Sequence, residues 1–189
     1  MSGVRIIPES EFRTTRWSGG TTTELFIWPE GASYAERRFS VRISTALVEL
    51  ESSTFTSLPG VKRFLTPLCP GFELIVNGEK KNLPCGEVLE FSGDDAVECF
   101  GSGRDLNLML KGAEGNMRIV SGTFAVENRA FAFIFAPDAV TLAFCDSEKN
   151  ACTSAFLPAR SFARIENGSY SANGNAVLFE IMAAPSESC

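Results

Sequence analysis

Five polar side chains, Arg42, Ser44, Arg63, Asp105 and Asn107, punctuate otherwise apolar stretches of this chain, and their types suit recognition of a small acid. Two guanidinium groups can grip a carboxylate through paired hydrogen bonds. A carboxylate and a carboxamide can then read an amine, amide or hydroxyl on the same molecule. Asp105 could instead serve as a general acid or base, and so could Glu24, provided burial raises the carboxyl pKa. Neighbouring arginines push that pKa the other way, which weighs against catalysis. No histidine is present. A Ser-His-Asp or Cys-His triad is therefore excluded within one subunit, as is a histidine-rich metal site. Asp, Glu and Cys show no clustered spacing, so neither a metal nor another cofactor is expected.

The elements that must position these groups read as short strands. Phe39, Val41 and Ile43 alternate with Ser40, Arg42 and Ser44, the period of a half-buried strand. The polar face of that strand meets either solvent or a barrel lumen, and an inward Arg needs an anionic partner. Leu106, Leu108 and Leu110 alternate with Asp105, Asn107 and Met109. Asp105 and Asn107 thus emerge on one face about 7 Å apart, and Met109 beside them favours a partly apolar pocket over plain solvent. Gly19-Gly20 followed by Thr21, Thr22, Thr23 and Glu24 reads as a loop entering a strand, or as a turn with a Thr-rich edge strand. Asn77-Gly78 between Phe72–Val76 and Glu79–Leu83 is a hairpin signal, since both residues tolerate positive φ. Strands are also expected at 88–91, 97–100, 117–120, 130–136, 140–145 and 176–182, with further turns at Asn167-Gly168 and Asn173-Gly174. Residues 184–189 read as a frayed tail. Many short strands separated by Gly and Asn turns indicate a sandwich or barrel. The best boundary lies at Gly112–Gly115, which divides the chain into two β-rich halves, 1–112 and 113–189.

Composition narrows the partners. Sixteen Phe against two Tyr and two Trp point to an aromatic-rich β interior. A net charge of −6 opposes a phosphate-tracking surface, so nucleic acid is not an expected partner. The amino terminus does not look like a signal peptide, no apolar run is long enough to span a membrane, and a cytoplasmic location is expected. Cys69, Cys85, Cys99, Cys145, Cys152 and Cys189 include no C-x-x-C pair and are expected to be reduced, inert thiols.

Four ordered signatures carry a family resemblance: Gly19-Gly20-x-Thr22-x-Glu24, Phe39-Ser40-Val41-Arg42-Ile43-Ser44, Phe55-x-x-x-Pro59-Gly60-Val61-x-Arg63 and Arg104-Asp105-Leu106-Asn107-Leu108-Met109. Together they resemble the HutD/Ves family, most strongly over residues 12–122. The resemblance implies an all-β bicupin, two cupin-like barrel halves packed as one compact unit. It places a ligand pocket in the N-terminal lumen, lined by Arg42, Ser44, Arg63, Asp105 and Asn107, with Thr22 and Glu24 from a glycine loop at the mouth. Members are associated with histidine utilisation or stress responses and are usually described as binding or regulatory proteins. One departure stands out. The family carries Trp-x-Asn ahead of the glycines, whereas this chain has Thr15-Arg16-Trp17-Ser18, so the Asn is lost.

The reading is therefore a metal-free protein that binds a small anionic metabolite. The alternative is a metal-independent lyase, isomerase or hydrolase acting through Asp105 or Glu24. Cupin-like chains often dimerise, which makes a homodimer an expected option.

Overall fold

Apolar alternation along short segments produces an all-β chain. The structure, a computed structural model, describes residues 4–128, 130–146, 151–165 and 168–183. The turn expected at Asn167-Gly168 lies partly outside these residues, and the tail expected at 184–189 lies wholly outside them. Two compact units are formed, one by residues 12–113 and the other by residues 114–183 together with 4–11.

The chain opens with β1 (Val4–Ile7) and a short 3-10 turn at Glu9–Glu11. In the first unit, β2 (Arg13–Trp17), β3 (Gly20–Trp28), β4 (Val41–Val48), β6 (Lys62–Cys69), β9 (Leu89–Ser92) and β11 (Gly103–Leu110) form one sheet. Its strand order is β2-β3-β4-β11-β6-β9. Four shorter strands, β5 (Ser52–Thr54), β7 (Phe72–Val76), β8 (Glu79–Leu83) and β10 (Val97–Phe100), form a second sheet in the order β5-β10-β7-β8. The Asn77-Gly78 hairpin forms as its sequence dictates, with φ of 51° and 84° at the two turn residues. Phe72, Leu74, Val76, Val97 and Cys99 of the smaller sheet pack against Val48, Leu65 and Phe91 of the larger one. Burial pushes the Cys99 thiol up to about 12, so it behaves as an apolar filler.

In the second unit, β12 (Glu114–Val120), β14 (Phe131–Ala136), β17 (Ser161–Ile165) and β19 (Ala176–Ala183) join β1 in a sheet ordered β1-β17-β14-β19-β12. The opposing sheet is β13-β18-β15-β16, built from β13 (Thr123–Asn128), β15 (Val140–Asp146), β16 (Ala151–Leu157) and β18 (Gly168–Asn173). The first strand of the chain thus pairs with β17, Val4 opposite Ile165 through Ile7 opposite Phe162. Burial of Ile7 and packing of Val4 against the core hold it there. The interior between these sheets is filled by Val126, Ala132, Ile134, Leu142, Ala163, Leu178 and their neighbours.

One expectation is corrected. Cys69 and Cys85 are bonded to each other rather than present as free thiols, with Cα atoms 5.2 Å apart. The β7–β8 hairpin returns the chain beside the end of β6, so closely that a Cβ on Gly71 would lie 2.7 Å from the Leu83 carbonyl oxygen. Two cysteines sixteen residues apart become neighbours through that return, which spacing alone does not reveal.

Gly20 is the tightest backbone position in the unit that holds the cavity. Its φ is +149°, and a Cβ there would overlap the Leu47 carbonyl oxygen. Gly20→Ala is expected to lower stability by about 2–4 kcal/mol in urea denaturation, through strain and overpacking. Gly78→Ala, at φ +84° with open space around it, should lose only about 1 kcal/mol. Equal losses would contradict this account of Gly20.

Candidate functional site

Strand register gathers the polar side chains. Met109 on β11 sits opposite Arg42 on β4 and opposite Arg63 on β6. Asn107 faces Ser44, and Asp105 faces Ala46. Because side chains alternate along a strand, all of these share one face. On β3, Thr22 pairs with Ala46 and Glu24 with Ser44. Both belong to the strand and not to a glycine loop, since the β-branched Thr21–Thr23 run extends directly from Gly20.

That face lines a cavity of about 720 Å³ inside the first unit, with Thr22, Arg42, Ser44, Arg63, Asp105 and Asn107 on its wall. Glu24 shares the face of Ser44, is not among the lining residues, and holds Arg42. The other face of the same strands carries Val41, Ile43, Leu106, Leu108 and Leu110, all buried. The strand pattern therefore commits the polar residues to the lumen.

The two arginines differ in how they are balanced. Arg42 Nε donates to Glu24 Oε2 at 2.8 Å, and Nη1 donates to Ser44 Oγ at 3.1 Å. Its guanidinium also lies 4.1 Å from the centroid of Tyr34. Arg42 is thus neutralised and fixed. Arg63 is 6% exposed, and its guanidinium carbon lies 4.9 Å from the ring centroids of both Phe55 and Phe91. Such cation–π contacts offset part of the lost hydration. The one hydrogen bond found for it is a long donation from Nη1 to the Thr56 carbonyl, 3.4 Å, and Nε has no partner. Among the described residues no carboxylate comes within ion-pair distance of it. Burial pulls its pKa down to about 10, which still leaves the group charged at neutral pH.

Asp105 accepts the Ala46 N–H at 3.0 Å and the Asn107 amide at 2.7 Å, both on Oδ1. Burial nevertheless dominates and pushes its pKa up to about 7, against the opposing pull of Ala46, Arg63, Arg104 and Asn107. The expectation that nearby arginines hold this carboxyl low is overturned, because full desolvation outweighs them. Ser53 Oγ, also on the wall, has no hydrogen-bond partner.

Sequence reasoning missed several groups that shape the site. Tyr34 arrives from an irregular segment, and Phe55 and Phe91 read as ordinary core residues. Trp17 and Leu50 stand exposed on the cavity wall. An inward Arg beside an unusually Phe-rich composition was the available signal for the aromatic contacts.

Among the described residues, no three His, Cys, Asp or Glu side chains gather as a metal site. No helix among them is long and apolar enough to cross a membrane.

Residues 9–175 match the HutD family profile. The chain belongs to the HutD family. HutD from Pseudomonas fluorescens SBW25, solved in a formate condition, superposes with a TM-score of 0.77 at 21% identity, covering 97% of this chain and 100% of that one. A conserved protein of unknown function from Pseudomonas aeruginosa PAO1 gives 0.74 at 22% identity, covering 93% and 96%. A cupin 2 conserved barrel domain protein from Leptotrichia buccalis gives 0.52 at 12% identity, covering 94% and 96%. These likenesses establish an all-β fold of two cupin-like halves. A search of curated proteins returns no significant match.

Asp105 gives the site a pH signature. Its folded pKa lies above the ordinary carboxyl value, so the folded state binds more protons between the two. Stability from this group is complete below about pH 4 and is lost as pH rises towards about 7. Urea midpoints measured from pH 4 to 8 should therefore fall less steeply in Asp105→Asn than in the native chain. Parallel curves would show that Asp105 ionises normally.

Proposed function

We propose that this HutD-family chain is a cytoplasmic, metal-free binding protein that takes a small carboxylated metabolite into the cavity of its first unit. Its role is then regulatory, in the utilisation of histidine or other amino acids or in a stress response, as the family resemblance implies. The observation that carries this reading is Arg63, a buried cation in a cavity with no ion-pair partner among the described residues and an unpartnered Nε. Leaving such a group unpaired is costly, and a ligand carboxylate supplies the missing charge and acceptors. Arg42, already satisfied by Glu24 and Ser44, forms a fixed wall beside it. Asp105 and Asn107 offer an acceptor and a donor for the polar remainder of the ligand.

The test is calorimetry against a panel of acids, including formate, acetate, succinate, urocanate and formylglutamate. Arg63→Gln should weaken the best of them by roughly 30-fold or more, the loss expected when one partner of a buried charge pair is removed. Arg63→Met should unfold at a higher urea concentration than the native chain without ligand, because it deletes an unpaired buried charge. A panel that shows no binding, or an Arg63→Gln chain that binds equally well, would defeat the proposal.

A second reading rests on Asp105. A carboxyl poised at about 7 inside a cavity suits general acid–base catalysis, so a metal-independent lyase, isomerase or hydrolase is the competing function. Glu24 suits that role less well, since it is engaged by Arg42 and does not line the cavity. Turnover of any bound acid that disappears in Asp105→Asn, with binding retained, would favour the enzyme.

A further inference from the structure

The cavity changes character along its length. Arg42 and Val48 are both on β4 and both on its wall, six residues apart, a span of roughly 20 Å at about 3.3 Å per residue. At the Arg42 level Met109 and Arg63 stand alongside. At the Val48 level the pairing runs through Gly20 to Trp17. One end of the wall is thus cationic. The other carries the apolar groups Val48, Leu50, Phe100 and Trp17, with Ser18, Ser52 and Glu98 among them.

Trp17 is 37% exposed and Leu50 45% exposed, although both border this cavity. A large indole left half in water gains stability from any apolar body that covers it. Its position is also enforced. A Cβ on Gly19 would overlap the Trp17 ring, so glycine there allows the indole to lie over the backbone. The turn beneath is held to the end of β4 by the Glu49 N–H, which donates to the Gly19 carbonyl at 2.8 Å. Arg16 adds an ion pair to Glu49 at 3.1 Å. Trp17 therefore stands as a fixed wall and not as a loose surface residue.

We infer that the ligand is an elongated carboxylate whose acid group meets Arg63 and whose flat apolar body lies against Trp17 and Leu50 at the far end. This rests on the acid-binding reading above and adds a substrate class to it. A volume of about 720 Å³ is far more than formate or acetate needs and falls within the range of sites that bury drug-sized ligands. Trp17 is then a specificity-determining residue: it selects what the acid is attached to, while Arg63 selects the acid.

A series of phenylacetate, phenylbutanoate, phenylhexanoate and phenyloctanoate, measured by calorimetry beside acetate, tests the inference. Affinity should rise along the series until the ring reaches Trp17. Trp17→Ala should weaken the tightest of these by about tenfold or more, Trp17→Phe should restore most of the loss, and acetate should bind all three proteins alike. Trp17 is on an exposed edge strand, so unchanged thermal unfolding should accompany the substitution. If acetate binding depends on Arg63 but the phenyl series gains nothing over it, the elongated ligand is wrong and acid binding stands. If no acid binds at all, both readings fall. If Trp17→Ala alters the oligomeric state and leaves phenylalkanoate affinity unchanged, the indole serves a second copy of the chain and the inference is overturned.

Discussion

Arg63 brings a positive charge into a space largely closed to water, and the chain supplies almost nothing to balance it. Its guanidinium lies against Phe55 and Phe91, whose rings sit side by side with centroids 6.1 Å apart, is bonded weakly to one carbonyl, and is left with a free Nε. Aromatic faces recover some of the lost hydration but do not replace an anion. The contrast with Arg42 is instructive because the two residues flank β11 at the same level, one on β4 and the other on β6. Arg42 has an ion pair to Glu24, a hydrogen bond to Ser44 and the ring of Tyr34. An arrangement that satisfies one buried arginine and leaves the next unsatisfied places the deficit at a defined point of the cavity. Structural proteins avoid such deficits, and sites that recognise ligands are built from them.

The two units show how one architecture yields either a core or a site. Both bury the inner faces of opposed antiparallel sheets. In the second unit those faces carry Ala132, Ala163 and Ala172 beside Ile134, Leu142 and Leu178, and the interior closes on itself. In the first, β4 and β11 set leucines, valines and isoleucines on one face against Arg42, Ser44, Asp105 and Asn107 on the other, and β6 adds Arg63 to the polar face. Long polar side chains pinned to the strands by Glu24, Ala46 and Asn107 cannot interdigitate as aliphatic ones do. The lumen stays open because its occupants are directed and hydrogen bonded, not because the sheets are further apart in sequence or shorter.

The strand pattern was legible where burial follows the period of the strand. The alternation at Phe39–Ser44 put Arg42 and Ser44 on one face of their strand, that at Asp105–Leu110 did the same for Asp105 and Asn107, and Asn77-Gly78 fixed a hairpin; only the register of β4 with β11 brings the two pairs together. What could not be read depended on non-local geometry. The first strand pairs with β17, some 160 residues away, through a run too short to announce its partner. Tyr34 reaches Arg42 from an irregular segment. The bond between Cys69 and Cys85 needs the return of the β7–β8 hairpin. The state of Asp105 also eluded inference, because sequence reveals that arginines are near but not that burial is complete. Desolvation is a property of the whole enclosure, and it decided the sign.

Arg42 and Glu24 cancel, and Glu98 is an exposed acid on the wall, which leaves Arg63 and Asp105 as the buried pair of charges that line the cavity. With Asp105 ionised the two sum to zero; with it protonated the pair carries one positive charge. Because Asp105 titrates near neutrality, both states are accessible there. A carboxylate arriving beside Arg63 weakens the hold of that cation on Asp105 and adds its own repulsion, so it raises the proton affinity of Asp105. By reciprocity the proton raises the affinity for the carboxylate. A chain without histidine thereby obtains a group that responds at neutral pH, from an aspartate whose enclosure does what an imidazole does elsewhere. Under the acid-binding reading, the same unsatisfied cation thus also couples occupancy of the lumen to a proton.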